Sequence, residues 1–286
     1  MASFAQKSSL GAHTIQSTSG QDYSWHHVEE DKIWMVAIDG HGKHKEGIGD
    51  LDLVDWLKAF NWAELMRNRE SENPICKLET IIVEAFPGGT QGIGAAISII
   101  EITDEREVEI WWKGDAATKI MQRAENGEVD IVASTQIPDH DAEMERISDS
   151  ISCYKPTWQV EAISETEITM RKTYYYHFSE LDVLAMSQSI GHDGKTGIVD
   201  QSLKYILEDG KEYRILAASD GLWDIAALKD PSVLKRLWES DAQGIVEWAA
   251  EQWKRTWCYV FGDSRISDQK IGNPDDVTCV VWSKAF

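Results

Sequence analysis

The chain lacks the features that mark secreted and membrane-anchored proteins. Its four cysteines, Cys76, Cys153, Cys258 and Cys279, are far apart and form no CxxC pair, which argues against a zinc site or a disulfide framework. No apolar run approaches the roughly 20 residues of a membrane helix. The N-terminal segment has no apolar core of signal-peptide length, and Ala2 excludes a myristoylation signal. We therefore expect a cytoplasmic location with reduced thiols and no membrane partner.

Positive charge is also scarce. Lysine and arginine number 28 against 49 aspartates and glutamates, which gives a net charge of −21 over 286 residues. Nucleic acids and anionic membranes would repel such a chain, so neither is expected as a partner. An apolar content of 42% and this length predict one globular domain, residues 1–286, and we expect a monomer. The acidity indicates either a solvated surface or carboxylates that converge on cations, and composition alone leaves both open.

Short strands and clustered helices dominate the pattern of apolar residues. Strands are predicted at 22–28, 32–38, 93–103, 107–113, 117–122, 129–133, 166–177, 213–219 and 277–282. Helices are predicted at 51–67 with Asp50 as the candidate cap, 74–86, 231–239 and 242–257, whereas 137–165 reads as polar and irregular. Strands in consecutive hairpin-like runs favour an α+β fold with antiparallel sheets over a doubly wound parallel sheet. Trp111, Trp112 and Trp223 are expected in its core.

Aspartates stand at the ends of several predicted strands. They are Asp22, Asp39, Asp115, Asp220, Asp275 and Asp276. One such residue would be an ordinary turn aspartate, and Asp220 could cap the helix that follows it. Neighbouring strand ends lie roughly 5 Å apart, so several carboxylates there would repel one another unless a cation compensated them. Hard cations such as Mg²⁺ and Mn²⁺ prefer these oxygen ligands. Asp224, four residues after Asp220, would face the same way on a helix.

Several short motifs occur in a fixed order along the chain. DGHG at 39–42, GD at 114–115, SDGLWD at 219–224 and DDVT at 275–278 resemble the metal-dependent serine/threonine protein phosphatases of type 2C. The resemblance extends over 11–283 through GQDYSW at 20–25, GIGAAISII at 92–100, IPDHDAEMERI at 137–147 and LAMSQSIGH at 184–192. It implies an α-β-β-α sandwich of two antiparallel sheets flanked by helices, with metals at one edge, acting on phosphorylated proteins.

The resemblance also implies roles for individual residues. The metal ligands would be Asp22, Asp39, the Gly40 carbonyl, Asp115, Asp220, Asp224 and Asp275. They would hold two core Mn²⁺ or Mg²⁺ ions bridged by Asp39, with a third position at Asp115, Asp220 and Asp224. The implied nucleophile is a metal-bridging hydroxide. His41 would be the general acid, unless it is a plain turn histidine. Lys43 belongs to a small basic run that would attract phosphate, or simply be solvated.

The sequence departs from the family pattern at the expected phosphate-binding arginine. The stretch 15–19 contains no arginine, position 21 is Gln where many relatives have Glu, and Gln188 and His192 replace an Arg and an Asp. Either weak substrate binding or a different substrate is expected as a result, with the metal chemistry intact, and KM and kcat of Ser17→Arg would test this. Three hypotheses stay open: a phosphoprotein phosphatase, an inactive pseudophosphatase that binds metal or a partner, and a hydrolase of small phosphoesters. We further predict a flap within 148–200, and a surface or packing role for His192.

Overall fold

The computed structural model describes residues 8–17, 19–42, 52–136, 143, 146–147, 149, 151–180, 182–185, 187–197 and 201–285. The strands are β1 Ser9–Ile15, β2 Tyr23–Glu29, β3 Lys32–Gly42, β4 Ile93–Thr103, β5 Glu107–Lys113, β6 Ala117–Arg123, β7 Val129–Ser134, β8 Cys153–Ala162, β9 Glu167–His177, β10 Val183–Leu184, β11 Ile190–Gly191, β12 Ser202–Ile206, β13 Glu212–Ala218, β14 Thr256–Phe261, β15 Ser264–Lys270 and β16 Val277–Ala285. The helices are α1 Leu53–Ala59, α2 Trp62–Asn68, α3 Pro74–Ala85, α4 Asp220–Trp223, α5 Pro231–Glu239 and α6 Ala242–Lys254, with a 3₁₀ turn at His192–Gly194.

Three sheets form from these strands. Sheet I has the order β1-β16-β13-β6-β7 and sheet II the order β12-β5-β4-β3-β2, with β11 also paired to β4. Every pairing within these two sheets is antiparallel. Sheet III has the order β10-β9-β14-β15, with β8 on β9, and its β14–β9 pair is parallel. Sheets I and II and the helices outside them give the α+β architecture predicted from the sequence.

Three apolar clusters show how the layers stack. Between sheets I and II, Met35 and Ile100 of sheet II meet Ile215 and Trp282 of sheet I. Outside sheet II, residues of β3, β4 and β5 pack on α1, α2 and α3. Outside sheet I, residues of β6, β13 and β16 pack on α5 and α6. Sheets I and II are therefore each apolar on both faces, which produces the helix-sheet-sheet-helix order. Trp111, Trp112 and Trp223 are buried, as expected.

Local structure corrects several predicted boundaries. The helix predicted at 51–67 is two helices, because Phe60 is extended and Asn61 accepts a hydrogen bond from the Glu64 amide to start the second. Asp52 caps the first helix through the Val54 amide, whereas the candidate cap Asp50 lies outside the described residues. The helix predicted at 242–257 ends at Lys254 and gives way to β14.

Of sheet III, only β9 corresponds to a predicted strand, at 166–177, and β1 and β12 of the other two sheets were not predicted. The segment 137–165 was predicted to be irregular, but it contains β8, which pairs along its whole length with β9. The chain returns to this sheet after α6 through β14 and β15. The single domain and the flap within 148–200 stay predictions. Over the part of the chain that the structure describes, none of the helices has the length and apolar character needed to cross a membrane.

Candidate metal and phosphoester site

The two packed sheets bring the predicted aspartates to one edge of the sandwich. Asp39 lies in β3, Asp22 directly precedes β2 and Asp115 lies in the β5–β6 turn. Asp220 opens α4 at the end of β13, and its backbone N–H points at Asp39 Oδ2 at 3.4 Å. Strand ends from both sheets thus converge, as the sequence pattern predicts.

Burial and mutual repulsion raise the pKa of every predicted carboxylate ligand. Burial, and then Asp220, Asp22 and Asp115, raise the pKa of Asp39 well above its ordinary value. Burial is also the largest cause for the others. It raises the pKa to about 6 for Asp115 and Asp220, to about 7 for Asp275, and well above the ordinary value for Asp22 and Asp224. The carboxylates lie close enough to oppose one another's ionisation, and bound cations would relieve that repulsion.

Unpartnered oxygens within this cluster fit hard cations. Asp22 Oδ2 and Asp115 Oδ1 are buried and find no hydrogen-bond partner among the described residues. Such oxygens match the ligand preference of Mg²⁺ and Mn²⁺. No three Asp, Glu, His or Cys side chains in the described part of the chain stand close enough to hold one ion as they are placed. The donor chemistry therefore fits the implied metals, while the assignment of individual ligands stays a prediction.

Gly40 and Gln21 have packing roles at this edge. A Cβ at Gly40 would lie 2.3 Å from Val54 Cγ2 and 2.6 Å from the Gln21 carbonyl, so glycine is required whether or not its own carbonyl binds a metal. Gln21 Nε2 donates to the Gly42 carbonyl at 2.9 Å. A glutamate at position 21 could not make this bond, because an ionised carboxylate only accepts.

The two adjacent aspartates of the DDVT motif behave differently. Asp276 accepts hydrogen bonds from the Ser17 amide at 2.5 Å, the Ser19 hydroxyl at 2.5 Å and the Gln21 amide at 3.0 Å. These hydrogen bonds hold the segment that precedes β2 against the start of β16. Asp275 keeps the raised pKa described above. The sequence could not tell these two neighbours apart: Asp276 accepts three hydrogen bonds, although its charge also contributes to the raised pKa values of Asp22 and Asp275.

His41 is half-buried and hydrogen-bonded to a second histidine. Its Nε2 lies 2.9 Å from His192 Nε2, and His192 Nδ1 lies 2.8 Å from Asp182 Oδ1. Burial, and then His192, lower the pKa of His41 to about 3, against a smaller opposing effect of the Asp39 backbone. The expected surface or packing role of His192 overlooked this bond. The visible signal was GH at 191–192, where the resemblance implies an aspartate.

Arg171 of β9 brings positive charge to the cluster, which the sequence did not indicate. A guanidinium nitrogen lies 3.9 Å from Asp224 Oδ1, and the same nitrogen donates to Gln159 Oε1 at 2.9 Å. Its charge partly offsets the raised pKa values of Asp115, Asp220 and Asp224. Sheet III therefore contributes electrostatically to the site. Lys43, the predicted phosphate-binding residue, lies outside the described residues.

Comparison with solved structures shows the fold. A C. elegans sex determining protein aligns with 96% of this chain at 15% identity and a TM-score of 0.64, and this chain spans 64% of that one. The catalytic domain of the serine/threonine protein phosphatase PstP, in complex with two manganese ions, aligns at 15% identity and a TM-score of 0.51, with 98% of this chain and 99% of that chain covered. The S. agalactiae serine/threonine phosphatase aligns at 16% identity and a TM-score of 0.51, with 97% and 98% covered.

These structural neighbours confirm the fold predicted from the motif resemblance, that of the type 2C serine/threonine phosphatases. Neither a protein-family model nor a curated relative matches the sequence.

Proposed function

We propose that this protein is a metal-dependent phosphatase that hydrolyses phosphoserine or phosphothreonine in proteins. The observation that carries the proposal is the group of buried and half-buried, mutually repelling aspartates where sheets I and II meet. Their pKa values are raised by burial and by one another, and two of their oxygens have no described partner. A protein keeps such an arrangement at a cost in stability, which is typical of a site that binds cations. The fold of the structural neighbours agrees with this function.

In this proposal, individual residues have separate roles in metal binding and proton transfer. Asp39 would bind both core ions. Asp22, the Gly40 carbonyl, Asp220 and Asp275 would supply the remaining protein ligands. When bound, Mn²⁺ or Mg²⁺ would activate a water molecule and polarise the phosphoryl group. His41 would hold the proton that the departing serine or threonine oxygen needs. The third position, formed by Asp115, Asp220 and Asp224, stands closest to the positive charge of Arg171, so we expect the weakest binding there.

Phosphate release from a phosphothreonine peptide tests the proposal. Wild type should turn over with Mn²⁺ or Mg²⁺ and lose turnover in EDTA. Asp39→Asn should reduce kcat by about a thousandfold or more, because the residue would bind both ions. Asp263→Asn, in the exposed β14–β15 turn, is the matched control and should behave as wild type. Metal-independent turnover, or full activity in Asp39→Asn, would refute the proposal.

A pseudophosphatase is the second candidate function, and the segment before β2 favours it. The Ser17 hydroxyl donates to the Pro274 carbonyl at 2.9 Å, and the segment 15–19 supplies no arginine for the phosphate. Titration calorimetry with Mn²⁺ separates the two: binding without turnover on any phosphoester indicates the pseudophosphatase. Turnover of 4-nitrophenyl phosphate alone would instead indicate a hydrolase of small phosphoesters.

A further inference from the structure

Sheet III is attached to α4, the short helix that begins at Asp220 and ends beside Asp224. At the end of β8, the Ala162 amide donates to the Asp224 carbonyl at 2.8 Å. Ile168 of β9 is fully buried in the apolar cluster that also contains Trp223 of α4. These contacts hold sheet III against the candidate metal site, so a side chain of β9 that reaches the aspartates has a defined position there.

Arg171 is the side chain of β9 that this attachment brings to the aspartates. Gln159 lies directly opposite it in the β8–β9 pairing, and Gln159 Oε1 accepts from Arg171 Nη2 at 2.9 Å. The same nitrogen is 3.9 Å from Asp224 Oδ1, which is beyond hydrogen-bonding distance. A neutral amide therefore holds the guanidinium, and no carboxylate of the described residues accepts a hydrogen bond from it.

Most N–H groups of this guanidinium lack an acceptor. An arginine side chain has five N–H donors, of which Nη2 carries two. Among the residues that the structure describes, neither Nε nor Nη1 has a hydrogen-bond partner. The side chain is 36% exposed, so part of it faces solvent at the edge of the site. Charged N–H groups without acceptors fit phosphoryl oxygens, with which they form strong, charge-assisted hydrogen bonds.

The predicted ligand set carries more negative charge than two divalent cations balance. Six of its members are carboxylates, so a phosphate dianion would still meet net negative charge beside two such ions. The charge of Arg171 lowers the pKa values of three of these aspartates against the effect of burial, namely Asp115, Asp220 and Asp224. Its positive charge therefore reaches the cluster, whereas the segment 15–19 contains no arginine that could do so.

We propose that Arg171 binds the phosphoryl group of the substrate, in place of the arginine that the segment 15–19 lacks. The inference rests on the proposed function and specifies how the same site recognises phosphate. N–H groups of Arg171 that have no described acceptor donate to phosphoryl oxygens, while Gln159 holds Nη2. Affinity for the phosphoryl group thus depends on sheet III rather than on the segment before β2.

Substitution of Arg171, assayed at saturating Mn²⁺, tests the proposal. In Arg171→Gln, KM should rise about 20-fold and kcat should change less than about threefold, because charged hydrogen bonds to the bound phosphoryl group are lost. The rise should be equal for a phosphothreonine peptide and for 4-nitrophenyl phosphate, which share the phosphoryl group. Arg171→Lys keeps the charge without the planar guanidinium, and its KM should rise about fivefold. Arg265→Gln, at an exposed arginine of the same sheet, is the matched control and should keep the wild-type KM.

Two kinetic outcomes would overturn the proposal. An unchanged KM in Arg171→Gln would mean that the guanidinium serves only as a counter-charge for Asp224. A rise confined to the peptide would mean that Arg171 contacts the polypeptide rather than the phosphoryl group. Thermal midpoints identify any variant that fails to fold. If Arg171→Gln fails to fold, a wild-type KM in Arg171→Lys overturns the proposal instead.

Binding of inorganic phosphate tests the contact without any turnover. In calorimetric titrations of the Mg²⁺-loaded protein, the Kd for phosphate should be about 20-fold higher in Arg171→Gln than in wild type. Arg265→Gln should match wild type. If wild type hydrolyses neither substrate but shows this difference, the proposed function fails and the phosphate contact stands. Equal behaviour of wild type and Arg171→Gln, including no binding by either, overturns the contact whatever the activity.

Discussion

Asp182 and Asp115 are both buried aspartates, but very different numbers of donors surround them. Four donors reach Asp182, from Gly92, Ser179, His192 and Lys195, and they hold its pKa low against the effect of burial. Asp115 has an oxygen with no described partner, and burial raises its pKa to about 6. Asp182 therefore stabilises the fold around it, whereas Asp115 and its neighbours destabilise the metal-free fold. Unsatisfied charge, rather than burial, distinguishes the candidate metal site.

The largest expected effect on stability comes from replacing Asp182, the aspartate whose charge is satisfied by hydrogen bonds. Asp182→Asn should lower the free energy of unfolding by about 3 kcal/mol, because it removes a buried negative charge that the Lys195 ammonium and three other donors face. Urea denaturation in EDTA measures this change. Asp263→Asn, in an exposed turn, should change the free energy by less than about 0.5 kcal/mol. A loss below about 1 kcal/mol at Asp182 would contradict the comparison.

The adjacent residues Asp275 and Asp276 allow the same comparison of a repelled and a hydrogen-bonded carboxylate within one motif. In EDTA at pH 8, Asp275→Asn should raise the free energy of unfolding by about 1 kcal/mol, because it removes a charge that burial and Asp220 oppose. Asp276→Asn should lower the same quantity by about 2 kcal/mol, because its carboxylate accepts from Ser17, Ser19 and Gln21. Urea titrations of both variants decide the signs. Equal signs would show that the two carboxylates are not distinguished as the structure indicates.

The pH dependence of the same measurement has a definite sign. In the unfolded chain these aspartates ionise near the ordinary pKa of 3.8, whereas in the folded chain Asp115 and Asp220 ionise near 6 and Asp275 near 7. The folded state thus holds more protons between these values, and the stability of metal-free wild type should fall as pH rises from 5 to 8. Asp275→Asn should flatten this decline, and saturating Mn²⁺ should oppose it. A metal-free protein that gains stability over this range would contradict the raised pKa values.

The smallest expected effect concerns the positive charge that sheet III lends to the cluster. Arg171→Gln removes a guanidinium that lies 3.9 Å from Asp224, so the carboxylates should attract divalent cations more strongly. Calorimetry at pH 8 should show Mn²⁺ binding about threefold tighter, because a partly exposed charge contributes little. Arg171→Lys keeps the charge and should bind Mn²⁺ as wild type does. Weaker Mn²⁺ binding in Arg171→Gln would instead indicate that Arg171 organises the site.

The sequence by itself determined most of the two-sheet architecture and the set of strand-end aspartates. Apolar runs such as β4 and β5 were predicted with the observed limits, because their hydrophobicity changes abruptly at polar turns. Asp22, Asp39 and Asp220 could be singled out because their motifs combine a strand end, glycine and carboxylate within a few residues. Apart from β9, predicted at 166–177, sheet III escaped prediction because its strands are largely exposed or only half buried, and β14 and β15 lie far along the chain from β8 and β9.

Only the tertiary structure decided which polar residues share an environment. His41 and His192 are separated by 151 positions and meet because two strands flank Gly94. Asp275 and Asp276 are adjacent, yet three donors surround one of them and repelling carboxylates the other. Arg171 reaches Asp224 from a different sheet. A residue's type and local spacing fix its chemistry and its element, whereas its protonation and partners depend on groups brought close by long-range strand pairing.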